Sequence, residues 1–222
     1  MRAARVSSLT PGDASPNSDL WTRAPAFRLK LSPVPVGTVD TSPYVRRAFR
    51  NYNVGAVGSA AIGSVSVQAV CDGRLLSLRM EWEDLTEDSH INGTTSFPDS
   101  AAVMFPIKPG ASVMTMGSPE APVNMWLWQA DREAPSDVLC RGVGTSARRD
   151  PLVSGLSGRG VYSGGKWMVV MSRLLEGDGI EFVNLAGKRV LTVAFAVWEG
   201  SNRERGPLKA FSGEFQDLVL ET

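Results

Sequence analysis

The sequence predicts an all-β protein, an antiparallel β-sandwich with few short helices. Three observations carry this. Short runs of alternating apolar and polar residues recur along the chain. Asp-Gly or Gly-Gly turns punctuate them. No long stretch shows the 3.6-residue period of an amphipathic helix, in a chain with 22 glycines and 14 prolines.

The elements follow in order. Residues 1–20 are polar, with Pro11, Pro16 and several serines, and read as a flexible arm. Residues 21–222 read as one sandwich domain, with no internal repeat and no internal boundary. VSVQAVCDG sets Val65, Val67, Ala69 and Cys71 on one face, and Asp72-Gly73 turns the chain into LLSLRMEWED. There Leu76, Leu78, Met80 and Trp82 alternate with Ser77, Arg79, Glu81 and Glu83, so the two runs form a hairpin. VNMWLWQA, KWMVVMSRLL after Ser163-Gly164-Gly165, and GEFQDLVLE alternate in the same way. LTVAFAVW is almost wholly apolar, as a central strand covered on both faces should be.

Composition excludes several functions. The net charge is zero, so no basic field holds nucleic acid or anionic lipid. No run approaches the roughly 18 apolar residues of a membrane span. The N-terminus has charge but no apolar core of a secretory signal. Cys71 and Cys140 make neither a disulfide framework nor a zinc site, and spacing does not say whether they pair. The single histidine, His90 in the polar turn EDSHING, rules out a His-rich metal site and a bis-histidine haem within the chain.

The chemistry-bearing candidates begin with Met116. In TMGSPEAPV the glycine and two prolines stop a regular strand, so Met116 stands where a strand opens into a loop. A thioether there is either a gap filler or a soft ligand, and as a haem ligand it raises the potential. Trp126 and Trp128 share one strand face; they could wall a flat cofactor, stack on a sugar, or fill the core. Arg148 and Arg149, in GTSARRDPL, could pair with a carboxylate such as a haem propionate, or be solvated. Lys166 and Arg173 read most simply as a turn lysine and a strand arginine. Nothing in the spacing of Glu81, Glu83, Asp84 and Asp99 specifies an acid–base pair. Asn92-Gly93-Thr94 matches a glycosylation sequon and implies little outside a glycosylating host.

Four segments, FPDSAAVMFP, TMGSPEAPVNMWLWQAD, GGKWMVVMSRLL and VAFAVWEGSNRERGPLKAFSGEF, carry a resemblance when taken in this order. Together the chain is similar to the haem b-binding gamma subunit of type II molybdenum enzymes of the dimethyl sulfoxide reductase family. That group includes ethylbenzene dehydrogenase, dimethyl sulfide dehydrogenase, and chlorate and selenate reductases. The likeness runs from about Trp21 to the C-terminus. The ending AFSGEFQDL looks closer to the ethylbenzene dehydrogenase branch, which includes steroid C25 dehydrogenase.

The resemblance implies a β-sandwich holding one haem b with methionine and lysine as axial ligands. The methionine carries over to Met116. The lysine is expected in the loop after WLWQAD, yet no lysine lies between Lys108 and Lys166. Lys166, Met104 or no residue is then left for the sixth position, since arginine stays protonated and is a poor iron ligand. The implied partners are a molybdopterin-carrying alpha subunit that oxidises a hydrocarbon or steroid, an iron–sulfur beta subunit, and an external acceptor such as a cytochrome c. The implied place is the periplasm, reached with a partner that bears a twin-arginine signal. On this reading the chain passes electrons and has no catalytic residues. Two alternatives are a carbohydrate-binding sandwich with Trp126 and Trp128 as its platform, and a structural subunit without haem.

Overall fold

The computed structural model describes residues 1–34, 60–91 and 97–221. The chain opens with β1 (Arg2–Arg5), a 3-10 turn (Asp19–Arg23), β2 (Phe27–Lys30), β3 (Ser32–Pro33) and the hairpin β4 (Ser64–Cys71) and β5 (Leu75–Glu83). Next come β6 (Ser100–Pro106), β7 (Val123–Gln129), β8 (Ser136–Cys140), β9 (Ala147–Arg148) and the one-turn helix α1 (Pro151–Ser154). The chain ends with β10 (Ser157–Tyr162), β11 (Lys166–Leu174), β12 (Val190–Trp198), β13 (Ala210–Phe211) and β14 (Gln216–Leu220). The expected all-β class with few short helices is what forms.

The strands run in the order β10-β11-β5-β4-β1-β14-β12-β6-β7-β8-β9, folded so that its two halves face each other across a core. The β4–β5 hairpin closes at Asp72, whose Oδ1 accepts the N–H groups of Arg74 and Leu75 at 2.8 and 2.7 Å. Gly73 takes φ of 91°, which a side chain would resist. Leu78, Met80 and Trp82 from one half meet Val103, Trp126, Trp128 and Phe195 from the other. Burying a large apolar side chain of this kind contributes about 1.5–3 kcal/mol relative to leaving it in water.

Two expectations change. The pairing is not purely antiparallel, because β1 runs parallel to both β4 and β14 and joins the two halves. Within residues 1–20, expected as a flexible arm, Arg2–Arg5 therefore belong to the sheet. The segment also covers the sheet's outer face: Val6, Leu9, Ala14 and Trp21 pack with Val70, Leu75 and Val170 in a separate apolar cluster. The polar sequence of this segment hides six buried positions, Ala3, Ala4, Val6, Leu9, Ala14 and Pro16, spread too irregularly for a period to show. The same cover explains why Ser77, expected to face water, is buried and hydrogen-bonded to the Ser172 hydroxyl at 2.7 Å.

Beyond the main core, the outer face of β12, β6, β7 and β8 carries a second apolar cluster. Ala102 and Met104 of β6, Val123 and Met125 of β7, Val138 and Cys140 of β8, and Ala194, Ala196 and Trp198 of β12 belong to it. β12 is thus apolar on both sides for a reason: one face serves each cluster. Among the described residues no helix is long and apolar enough to cross a membrane.

Candidate functional site

The second cluster floors a pocket of about 430 Å³, within the usual size of small-molecule sites. Strand alternation builds its wall. In β7, Met125, Leu127 and Gln129 point into it, and Val138 of β8 and Trp198 of β12 join them. The loop ahead of β7 brings Met116 from one side, and the segment after β12 brings Glu204 to Pro207 from another. A narrow recess shares Met116, Val143 and Pro207 with the pocket and is also lined by Lys209 and Phe211.

Lys209 is the unexpected member. It stands just before β13, where alternation turns Ala210 into the main core and sends Phe211 into the second cluster. It is only 8% exposed. Its Nζ donates to the Met116 sulfur at 3.7 Å and sits 5.3 Å from the centre of the Trp198 ring. Among the described residues no carboxylate pairs with it. Burial without a counter-charge lowers its pKa to about 8, opposed weakly by the nearby Cys140 thiol. A thioether is a weak acceptor, so among the described residues this amine has no ordinary acceptor.

Met116 is equally constrained. It is 9% exposed and adopts φ of 57°, a left-handed conformation rare for a residue with a side chain. Trp198, which lies over Lys209, is held by its indole N–H donating to the Gly206 carbonyl at 3.0 Å.

The other sequence candidates fall elsewhere. Trp126 and Trp128 occupy the face of β7 opposite the pocket, 0% and 3% exposed. Trp126 packs on Phe105, with the Arg173 guanidinium 5.3 Å from its ring centre. Trp128 meets Trp82 and Trp167 edge-on. They fill the sandwich core and line neither the pocket nor the recesses beside it. Arg148 does line the pocket, its Nη2 donating to the Gln129 side chain at 2.6 Å. Arg149 turns away and pairs with Glu181 at 3.0 Å. Lys166 lies at the start of β11, opposite Glu83 and 3.7 Å from a Glu81 carboxylate oxygen, and lines a different depression from Met116. Met104 belongs to the second cluster and lines a recess shared with Lys209. Cys71 and Cys140 are both free, buried in separate clusters. The sequon at 92–94 lies outside the described residues.

Behind the pocket wall, Asp84, Asp99 and Glu199 bring ligand oxygens within 4.8 Å of one another. Burial raises Asp99 to about 6 and Glu199 to about 7, and the Asp84 carboxylate adds to both. Asp99 accepts from the Gly200 N–H at 2.8 Å and the Trp167 indole at 2.9 Å, so it ties the segment after β12 to β11.

Residues 18–156 match the family described as ethylbenzene dehydrogenase. The chain belongs to that family. Over 220 residues it is 34% identical to the chlorate reductase subunit gamma of Ideonella dechloratans, spanning 98% of this chain and 84% of that one. It is 32% identical, over 89% of its length and 65% of the relative, to a Haloferax mediterranei protein whose name includes the words "respiratory nitrate reductase heme subunit". The dimethylsulfide dehydrogenase subunit gamma of Rhodovulum sulfidophilum is 28% identical over 91% of this chain and 73% of that one. The resemblance to gamma subunits of type II enzymes is thereby upheld. A family 9 carbohydrate-binding module of Caldicellulosiruptor kristjanssonii superposes with a TM-score of 0.52 at 9% identity, over 100% of this chain and 95% of that one. That likeness concerns the sandwich fold alone.

Proposed function

We propose that this chain is the haem b electron-transfer subunit of an oxidoreductase complex, and that Met116 and Lys209 would hold its iron. The observation that carries this reading is a buried lysine amine whose hydrogen-bond acceptor is a thioether, in a recess that adjoins the pocket at Met116. A neutral amine and a thioether make a donor set suited to haem iron, and burial already favours the neutral amine. Lys209 thus replaces Lys166 as the lysine the resemblance requires.

When bound, haem supplies a one-electron iron couple. The chain's residues supply its setting. Lys209 gives up its proton to water and offers Nζ. The Trp198 ring confines that amine on one side. The Met116 sulfur would be the soft donor to the iron, a ligand type that favours the reduced state. Met125, Leu127, Val138 and Val143 present an apolar wall that excludes water. Arg148 at the pocket, with its planar fork, fits a propionate carboxylate.

The relatives named as gamma subunits support a multi-subunit complex; within it the reading places a molybdenum subunit, an iron–sulfur subunit and an external acceptor such as a cytochrome c. A periplasmic complex suits that assembly. The names of the three relatives span two reductases and one dehydrogenase. We therefore place substrate choice, including the hydrocarbon or steroid chemistry implied by the chain's ending, on the catalytic partner. The carbohydrate reading needs exposed indoles at Trp126 and Trp128, and both are in the core.

The test is the visible spectrum of the purified protein, oxidised and then dithionite-reduced, for wild type and Met116→Ala. A sharp α band in the reduced wild type that shifts or broadens in the variant supports the reading. A folded wild-type protein isolated from its native complex without Soret absorption overturns it.

A further inference from the structure

We infer that Gly117 is a positioning residue for the Met116 thioether, an inference that rests on Met116 being a haem ligand. Met116 and Gly117 are two successive left-handed residues, with φ of 57° and 79°. Such a conformation disfavours a residue bearing a side chain, so the surrounding structure must impose it on Met116.

All four backbone polar groups of this corner are committed. The Met116 N–H donates to the Val113 carbonyl at 3.2 Å, and the Gly117 N–H to the Ser112 carbonyl at 3.0 Å. The Met116 carbonyl accepts the Gly142 N–H at 3.1 Å, and the Gly117 carbonyl accepts the Thr115 hydroxyl at 3.0 Å. Rotating either residue breaks at least one of these bonds. The corner is also wedged against the sheet. A Cβ added to Gly117 would lie 2.8 Å from the Ala121 carbonyl oxygen, 3.0 Å from the Val123 nitrogen and 3.2 Å from the Cys140 carbonyl oxygen. All three are backbone atoms, and Val123 and Cys140 are paired residues of β7 and β8. They cannot yield as a flexible side chain would. A side chain at 117 must lift the corner off the strands, and the Met116 sulfur moves with it.

Gly110 is the control. It lies in the same β6–β7 connection with φ of 85°, but a Cβ there meets nothing within 4 Å. Both alanine variants incur left-handed strain; only Gly117→Ala incurs the backbone clash next to the ligand.

The experiment uses the full chain as isolated with its haem. It reads the near-infrared charge-transfer band of thioether-ligated ferric haem by magnetic circular dichroism, together with the midpoint potential. Gly117→Ala is expected to lose the thioether band in most of the haem and to show a lowered potential, with circular dichroism unchanged. Gly110→Ala is expected to keep the wild-type band and potential. A wild-type band and potential in Gly117→Ala overturn the inference. Where Gly117→Ala does not fold, Thr115→Val removes one bond of the corner without adding bulk there. A partial loss of the band supports the inference, and an unchanged band overturns it. A haem-loaded wild type that lacks the thioether band instead refutes Met116 as ligand, a separate failure from that of Gly117.

Discussion

Replacing Lys209 by methionine should stabilise the haem-free chain while destroying the site. The amine is buried, and its pKa falls from 10.5 to about 8. Each unit of that fall is worth about 1.4 kcal/mol, so holding the protonated lysine in this setting costs about 3 kcal/mol near neutral pH. Methionine has a similar length and no charge, and such swaps usually cost little in a core. Lys209→Met is then expected to be about 2–3 kcal/mol more stable than wild type, or roughly 4–12 °C in Tm for a chain of this size. The pH dependence has a definite sign. The folded state binds fewer protons than the unfolded state between about pH 8 and 10.5, so wild-type stability rises across that window and the gap to Lys209→Met closes. Urea unfolding of both haem-free chains at pH 7 and pH 10 reads this directly. A variant less stable than wild type at pH 7, or a gap that does not change with pH, would refute the claim that the amine is held at a cost.

Three further predictions follow from other parts of the fold. Arg173 and Asp137 form a buried ion pair at 3.0 Å, 1% and 0% exposed. Removing one partner by Asp137→Ala should cost about 3–5 kcal/mol in urea unfolding, and a loss below about 1 kcal/mol would count against the pair. Glu199 is raised from 4.5 to about 7 and Asp99 from 3.8 to about 6, so their contribution to stability is greatest at acid pH and is lost as pH rises through 7. Glu199→Gln should therefore gain on wild type as pH is raised from about 4 to 8, and parallel pH–Tm curves would contradict this. Met116→Ala should lower the midpoint potential of the bound haem, because a thioether favours reduced iron; a raised potential would contradict its role.

The sandwich was legible because its strands repeat a simple code. The Asp72-Gly73 hairpin, the alternation in β5 and the doubly apolar β12 each state their place in a two-sided sheet. Residues 1–20 were not legible, because their buried positions follow the irregular outer face of β4, β5 and β11 and no period of their own. In the site, Met116 stood out by its Met-Gly corner. Trp126 and Trp128 drew attention as aromatics, but the same alternation that pairs them assigns Met125 and Leu127 to the opposite, pocket-facing side of β7. Lys209 was missed because the strand it precedes is two residues long and its distance from Met116 along the chain hides their contact. A signal was present in GPLKAF. Phe211 and Lys209 alternate with Ala210, and a lysine on the apolar side of a strand has no reason to be there unless its amine is used.

The central claim is that Lys209, and not Lys166, completes the haem ligation with Met116. It is tested most directly by the reduced and oxidised visible spectra of Lys209→Ala and Lys166→Ala beside wild type. The account predicts a wild-type low-spin spectrum in Lys166→Ala, whose lysine sits beside Glu81, and loss of the sharp α band in Lys209→Ala. The reverse pattern, or a wild-type spectrum in Lys209→Ala, would contradict it.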